Sequence, residues 1–145
     1  MSHTTTIDAV EIKDLNALRA AINELKSNGV ECDLLENAVP RAYYSNQQGM
    51  NTPADLVLKL HDSRYDVGLY KQDNGAYQPR CDLWGGDIAR NLGVQEKGVD
   101  TAQNALGKLF NTYSIHAVTR KAVQQGYRVQ RVAKENGAVQ LRIAV

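Results

Sequence analysis

A two-layer α+β sandwich, with two main helices covering one face of a mostly antiparallel sheet, is the fold class that this chain predicts. Three observations carry it. Two Asn-Gly pairs, Asn74-Gly75 and Asn136-Gly137, each stand between runs of alternating apolar residues, the pattern of a tight hairpin whose turn wants positive φ at both central positions. Two other stretches, 15–27 and 101–125, repeat apolar residues every three to four positions, the period of a helix with one buried face. The resulting order is βαβ, then a meander, then αββ, and strands joined mainly by hairpins under two helices are best buried in a two-layer arrangement.

Each element has its own justification. Residues 4–12 are rich in β-branched side chains and read as a strand, after which Asp14 is a good N-cap for a helix over 15–27. Leu15, Leu18, Ile22 and Leu25 share one face of that helix, so it packs against a sheet. Asn28-Gly29 ends it, and Val30, Cys32 and Leu34 alternate as the next strand. Between 37 and 55, Pro40, Gly49 and Pro53 interrupt regular structure, with 41–44 a candidate short edge strand inside the largest loop. Residues 56–60, 65–71 and 76–84 then form the meander, and Pro79 suggests that its third strand lies at an edge or a bulge. A helical turn is expected over 88–92. The second long helix, over 101–125, buries Ala102, Leu106, Leu109, Tyr113 and Ala117 and stops at Gly126, before a terminal hairpin over 127–134 and 138–145.

The 145 residues, 43% hydrophobic and 23% charged, are sized for a single domain, 1–145. No apolar run nears the roughly 20 residues that span a bilayer, and residues 1–7 lack both the basic leader and the apolar core of a secretory signal. A cytoplasmic protein without a membrane segment is the expectation. Cys32 and Cys81 stand far apart with no Cys-x-x-Cys, so zinc and dithiol redox chemistry have no support and no cofactor is expected. Glycine-rich nucleotide motifs, His-Glu-x-x-His and Gly-x-Ser-x-Gly are absent too, which sets aside the chemistries they serve. His61-Asp62-Ser63 gathers the residue types of a hydrolytic triad, but neighbours in a tight turn cannot form the relay.

The net charge of +1 conceals a gradient. Residues 1–66 hold six Lys/Arg against ten Asp/Glu, whereas residues 120–145 hold six against Glu135 alone. A basic tail can attract nucleic acid or an anionic ligand, yet only Tyr127 offers a stacking ring there. Protein contact, with the basic end lying beside the acidic half within a subunit or across a homo-oligomer, ranks above nucleic acid.

The Met1-Ser-His3 start before a strand and amphipathic helix, the Tyr65-Asp-Val-Gly68 to Asp82-Leu-Trp-Gly85 hairpin, and the Tyr113-x-x-His116 helix running into Gln125-Gly-Tyr127 together resemble one family. It is the uncharacterised chloroplast reading-frame thirty-five family, a domain of unknown function in plastids, cyanobacteria and bacteriophages. The likeness covers nearly the whole chain in order. The connection over 86–103 is longer and more polar than the family pattern, in keeping with a phage-encoded or otherwise divergent member. The resemblance implies no activity. It does imply an accessory or adaptor role, since members tend to accompany AAA-type ATPases.

Three functional readings follow. The leading one is a non-catalytic binding or adaptor protein acting through protein contacts, with a partner or as a homo-oligomer, and with an open sheet face, a strand edge, or Tyr43, Tyr44 and Trp84 as contact surface. The alternative is a binder of a small, nucleotide-like anion at a basic site or subunit interface made by Tyr113, His116, Arg120, Arg128 and Arg131, because Tyr113, His116 and Arg120 share a helix face and the other two arginines follow in the hairpin. The third is an enzyme of unrecognised type using His116 for proton exchange. Against both stands a plainer assignment, in which Tyr113 and His116 are core-edge residues with satisfied polar tips.

Overall fold

The computed structural model describes residues 4–6, 11–42, 52–93, 105–135 and 139–145. Five strands, β1 (Thr4–Thr6), β2 (Cys32–Ala38), β3 (Ala54–Leu60), β4 (Val67–Lys71) and β5 (Tyr77–Asp82), form an antiparallel sheet in the order β1-β5-β4-β3-β2. Helix α1 (Leu15–Ser27) links β1 to β2. Those strands run parallel at opposite edges, so α1 must cross the inner face of the sheet. Among the described residues, two further helices follow the meander, the short α2 (Asp87–Asn91) and the long α3 (Gly107–Gln124). The chain closes with a separate two-stranded ribbon, β6 (Arg128–Ala133) and β7 (Val139–Ala144). Mixed helices and antiparallel strands make this an α+β protein.

The inner face follows directly from alternation. Leu56, Leu58 and Leu60 of β3, Val67 and Leu69 of β4 and Cys81 of β5 meet Ala17, Leu18, Ala21, Ile22 and Leu25 of α1 in one buried cluster. Ile88 and Leu92, then Leu106, Leu109, Phe110 and Tyr113, join it from the other helical elements. A fully buried leucine contributes about 1.5–3 kcal/mol relative to an exposed one, so this cluster dominates the stability. Asp14 caps α1 as expected, its Oδ1 accepting from the Ala17 amide at 3.0 Å. The helix ends with the Val30 amide donating to Leu25 O and Gly29 to Lys26 O, and α3 ends the same way at Tyr127 and Gly126.

Several expectations need correction. Of the predicted strand over 4–12, Thr4–Thr6 form β1 and Ile12 makes an isolated bridge to Tyr77, while residues 7–10 lie outside the described residues. Strand β5 is internal, between β1 and β4, although Pro79 suggested an edge. The Tyr77 amide donates to Ile12 O, so the alternating backbone turns the Pro79 nitrogen to that same side, between the Ile12 bridge and the Thr6–Arg80 pair, where no strand pairs with it among the described residues. In the β4–β5 turn only Gly75 is left-handed, at φ 85°. Gly75 donates to Gln72 O and Gln72 to Ala76 O, which is a three-residue loop with a glycine bulge and not the two-residue turn that needs both central φ values positive. The second Asn-Gly pair lies outside the described residues. Within them, α3 runs from Gly107 to Gln124, and residues 101–104, where periodicity starts the helix, lie outside them.

The outer face is less open than expected. Val57, Ala54 and Tyr70 form a second small cluster there, with Ala38 and Ala42 packed on it. The chain after β2 is strapped across this face by Arg41, whose backbone N and Nε donate to Asp66 Oδ2 while Nη2 donates to Asp66 Oδ1 and to Leu60 O. Pro40 thereby lies over Gly68, where a Cβ would stand 3.0 Å from Pro40 Cγ and 2.9 Å from Tyr70 Cε1. Replacing Gly68 with alanine is therefore expected to destabilise the fold by about 1–3 kcal/mol in urea unfolding. Gly107→Ala is the matched control: its Cβ meets nothing within 4 Å, and that change should be neutral or stabilising by up to about 1 kcal/mol.

Candidate functional site

Four of the five residues expected to hold an anion meet along the α1–α3 seam, where the chain's own carboxylates engage them. Tyr113 is buried, and its hydroxyl accepts from the amides of Lys13 and Asp14, both at 3.0 Å, so it satisfies the backbone entering α1. Arg120 lies seven residues along the same face of α3, and its Nε donates to Asp14 Oδ2 at 2.9 Å. From β6, Arg131 grips Glu24 with both terminal nitrogens, Nη1 to Oε1 at 2.7 Å and Nη2 to Oε2 at 2.9 Å. His116 Nε2 stands 2.9 Å from Glu24 Oε1. An ionised carboxylate only accepts, so this His116 nitrogen carries the proton. Arg128 occupies the alternate position in β6, opposite Ala144, on the other face of the ribbon from Arg131.

This geometry is electrostatically closed. The paired donation from Arg131 holds the Glu24 carboxyl down at about 2, below its ordinary 4.5, and the His116 hydrogen bond acts in the same direction. Asp14 is lowered as well, burial opposing while the Ala17 amide and Arg120 favour its charged form. The acidic first half and basic last quarter of the sequence thus meet within one subunit, at these pairs.

Sequence reasoning missed Glu24. It falls three residues after Ala21 and seven after Ala17, on the flank of the α1 buried stripe, and that spacing was the available signal. Also missed was a lock around Ser63–Asp66. Buried Asp87 accepts from the Arg64 backbone N and Nε through Oδ2, and from Arg64 Nη2 and Arg90 Nη2 through Oδ1, all at 2.8–2.9 Å. Those bonds, Arg64 first, hold its carboxyl far below the usual range. The conspicuous Tyr65–Gly68 and Asp82–Gly85 motifs therefore flank a structural anchor. Trp84 opens a single 3-10 turn, Trp84–Gly86, ahead of Asp87, while Tyr43 and Tyr44 lie outside the described residues.

Other nucleophiles are equally occupied. Ser63 Oγ donates to Tyr65 O, and His61 Nε2 lies 2.6 Å from Asp33 Oδ2, so the two do not make a relay. Burial pushes the Cys81 thiol up to about 12 and also raises Cys32, which leaves both unreactive at neutral pH. Among the described residues, no group of three or more His, Cys, Asp or Glu could hold a metal, and no helix is long and apolar enough to cross a membrane.

An open groove of about 380 Å³ lies between α1 and the edge strand β2, lined by Arg19, Ile22 and Lys26 on one side and Asp33, Leu34 and Leu35 on the other. Arg19–Glu36 at 2.9 Å and Lys26–Asp33 at 3.9 Å tie its two walls together. The Glu31 carbonyl accepts from the His61 amide, so period-two alternation turns Asp33 and Leu35 toward β3 as well. The backbone N–H and C=O of Cys32, Leu34 and Glu36 consequently face the free edge, where no strand pairs among the described residues.

A small α+β protein with a closed polar seam and a grooved open strand edge is the class that fold and site define. No family model, curated protein or solved structure matches the chain.

The seam sets a pH dependence. Glu24 has a folded value below its unfolded one, so its stabilisation is complete above about 4.5 and is lost as pH falls toward about 2. Arg131 is partly exposed and solvent screens the pair, so the expected contribution is on the order of 1–2 kcal/mol. Urea unfolding of Glu24→Gln between pH 6 and pH 2, about the span in which a carboxylate titrates, should show lower stability near neutrality and a shallower acid limb than the parent chain.

Proposed function

We propose that this chain is a non-catalytic protein-binding or adaptor domain that receives an extended partner segment along the free edge of β2, in the groove against α1. The observation that carries this reading is the outward backbone of Cys32, Leu34 and Glu36 beside a groove with an apolar floor at Ile22 and Leu34. A partner strand would gain main-chain hydrogen bonds from that edge, an apolar side chain against Ile22 and Leu34, and charged contacts to the Arg19–Glu36 and Lys26–Asp33 pairs at either end.

The anion-binding alternative draws less support, because Arg120, Arg131 and His116 already serve Asp14 and Glu24 and leave Arg128 apart. The same bond to Glu24 weighs against proton exchange at His116. An accessory role beside an AAA-type ATPase, which the resemblance to the chloroplast reading-frame thirty-five family implies, is one setting for such a partner. A cytoplasmic location, in a host cell if the gene is viral, accords with two free buried thiols.

Extended peptides selected from a displayed random library on the whole chain provide the test. Bound peptide should slow amide exchange at Leu34 and Glu36, and Glu36→Pro, which removes an outward N–H without touching the β3 ladder, should weaken binding by about tenfold or more. Glu36→Gln, which keeps that N–H, should bind nearly as the parent does. Protection that maps elsewhere, or a Glu36→Pro variant that stays folded and binds normally, would sink the proposal.

A further inference from the structure

We infer that the free edge of β7 pairs antiparallel with β7 of a second copy of this chain, about a two-fold axis at Leu141. This goes beyond the β2 reading and uses a different edge.

The ribbon is under-supported where it stands. Two strands alone are marginally stable in water, and none of the β6 or β7 residues belongs to the main buried cluster. One face carries Val129, Arg131, Val139, Leu141 and Ile143, and Ile143 remains 48% exposed. Beyond β6, no strand pairs with β7 among the described residues. Its far edge is therefore a second open template.

The residues along β7 select the occupant. Opposed residues in a two-fold antiparallel pair must share a face, so the axis falls on a residue and not between two. With the axis at Leu141, Leu141 meets its own counterpart, Val139 meets Ile143 of the second copy, and Gln140 meets Arg142 of the second copy. Every apolar residue then opposes an apolar one, and each arginine opposes an amide oxygen that can accept its hydrogen bond. Shifting the axis by one residue toward the C-terminus would set Arg142 against itself. Strand β2 has no comparable register: an axis at Leu34 sets Asp33 against Leu35, one at Leu35 sets Leu34 against Glu36, and Asn37 kinks the strand at φ 49°. Two copies joined through β7 would form one four-stranded sheet with its apolar side continuous.

Charge at one exposed position tests the register. Sedimentation of the full chain across a concentration series should show a monomer–dimer equilibrium. Gln140→Arg places two arginines opposite each other twice per dimer and should weaken it by about tenfold, whereas Gln140→Glu should tighten it by a similar factor. Because Cys32 and Cys81 are buried, Leu141→Cys should also give a disulfide-linked dimer on mild oxidation, with Arg142→Cys giving none. A monomer at every concentration overturns the inference. So does a dimer that ignores both Gln140 changes or leaves Leu141→Cys uncross-linked, since its contact would then lie elsewhere or involve another register.

Discussion

Strands β1 and β2 are parallel and lie at opposite edges of the sheet, so the chain between them has to traverse the whole inner face. Only a continuous apolar stripe can make that crossing, and α1 supplies it with Ala17, Leu18, Ala21, Ile22 and Leu25. The rest of the molecule is arranged around this helix. Its start is held by Tyr113 and Arg120 of α3, its later turns by His116 and Arg131 through Glu24, and its exposed flank forms one wall of the β2 groove.

Local physics was legible in the sequence and distant pairing was not. Asp14, the α1 stripe, the three meander strands and Gly126 could be read because a cap, a period of 3.6 and a period of 2 are properties of neighbouring residues. Tyr113, His116 and Arg120 could be placed on one helix face by the same means. Their partners Asp14 and Glu24 lie about a hundred residues away, and no spacing rule links positions across that distance. Pro79 misled for a related reason: its missing donor matters only on the side where a partner strand asks for one, and what faces that side comes from residues far away in the chain.

Buried carboxylates show how a conspicuous motif can be mechanical. Asp66 and Asp87 are 3% exposed, yet the guanidiniums on them reach solvent, so each charge is paired at the boundary and not stranded inside. Arg41 straps the loop after β2 to the β3–β4 connection, and Arg64 ties that connection to α2. Bidentate geometry of this kind is specific to arginine, which explains the residue type at these positions.

The way the terminal ribbon is attached has a consequence for how the protein breathes. A short turn after α3 and the Arg131–Glu24 pair fasten it, and its residues lie outside the main cluster. Opening the ribbon therefore uncovers little of the interior, and it can detach and re-dock while the sheet and helices stay closed. Local opening of the ribbon is thus expected to cost less free energy than global unfolding.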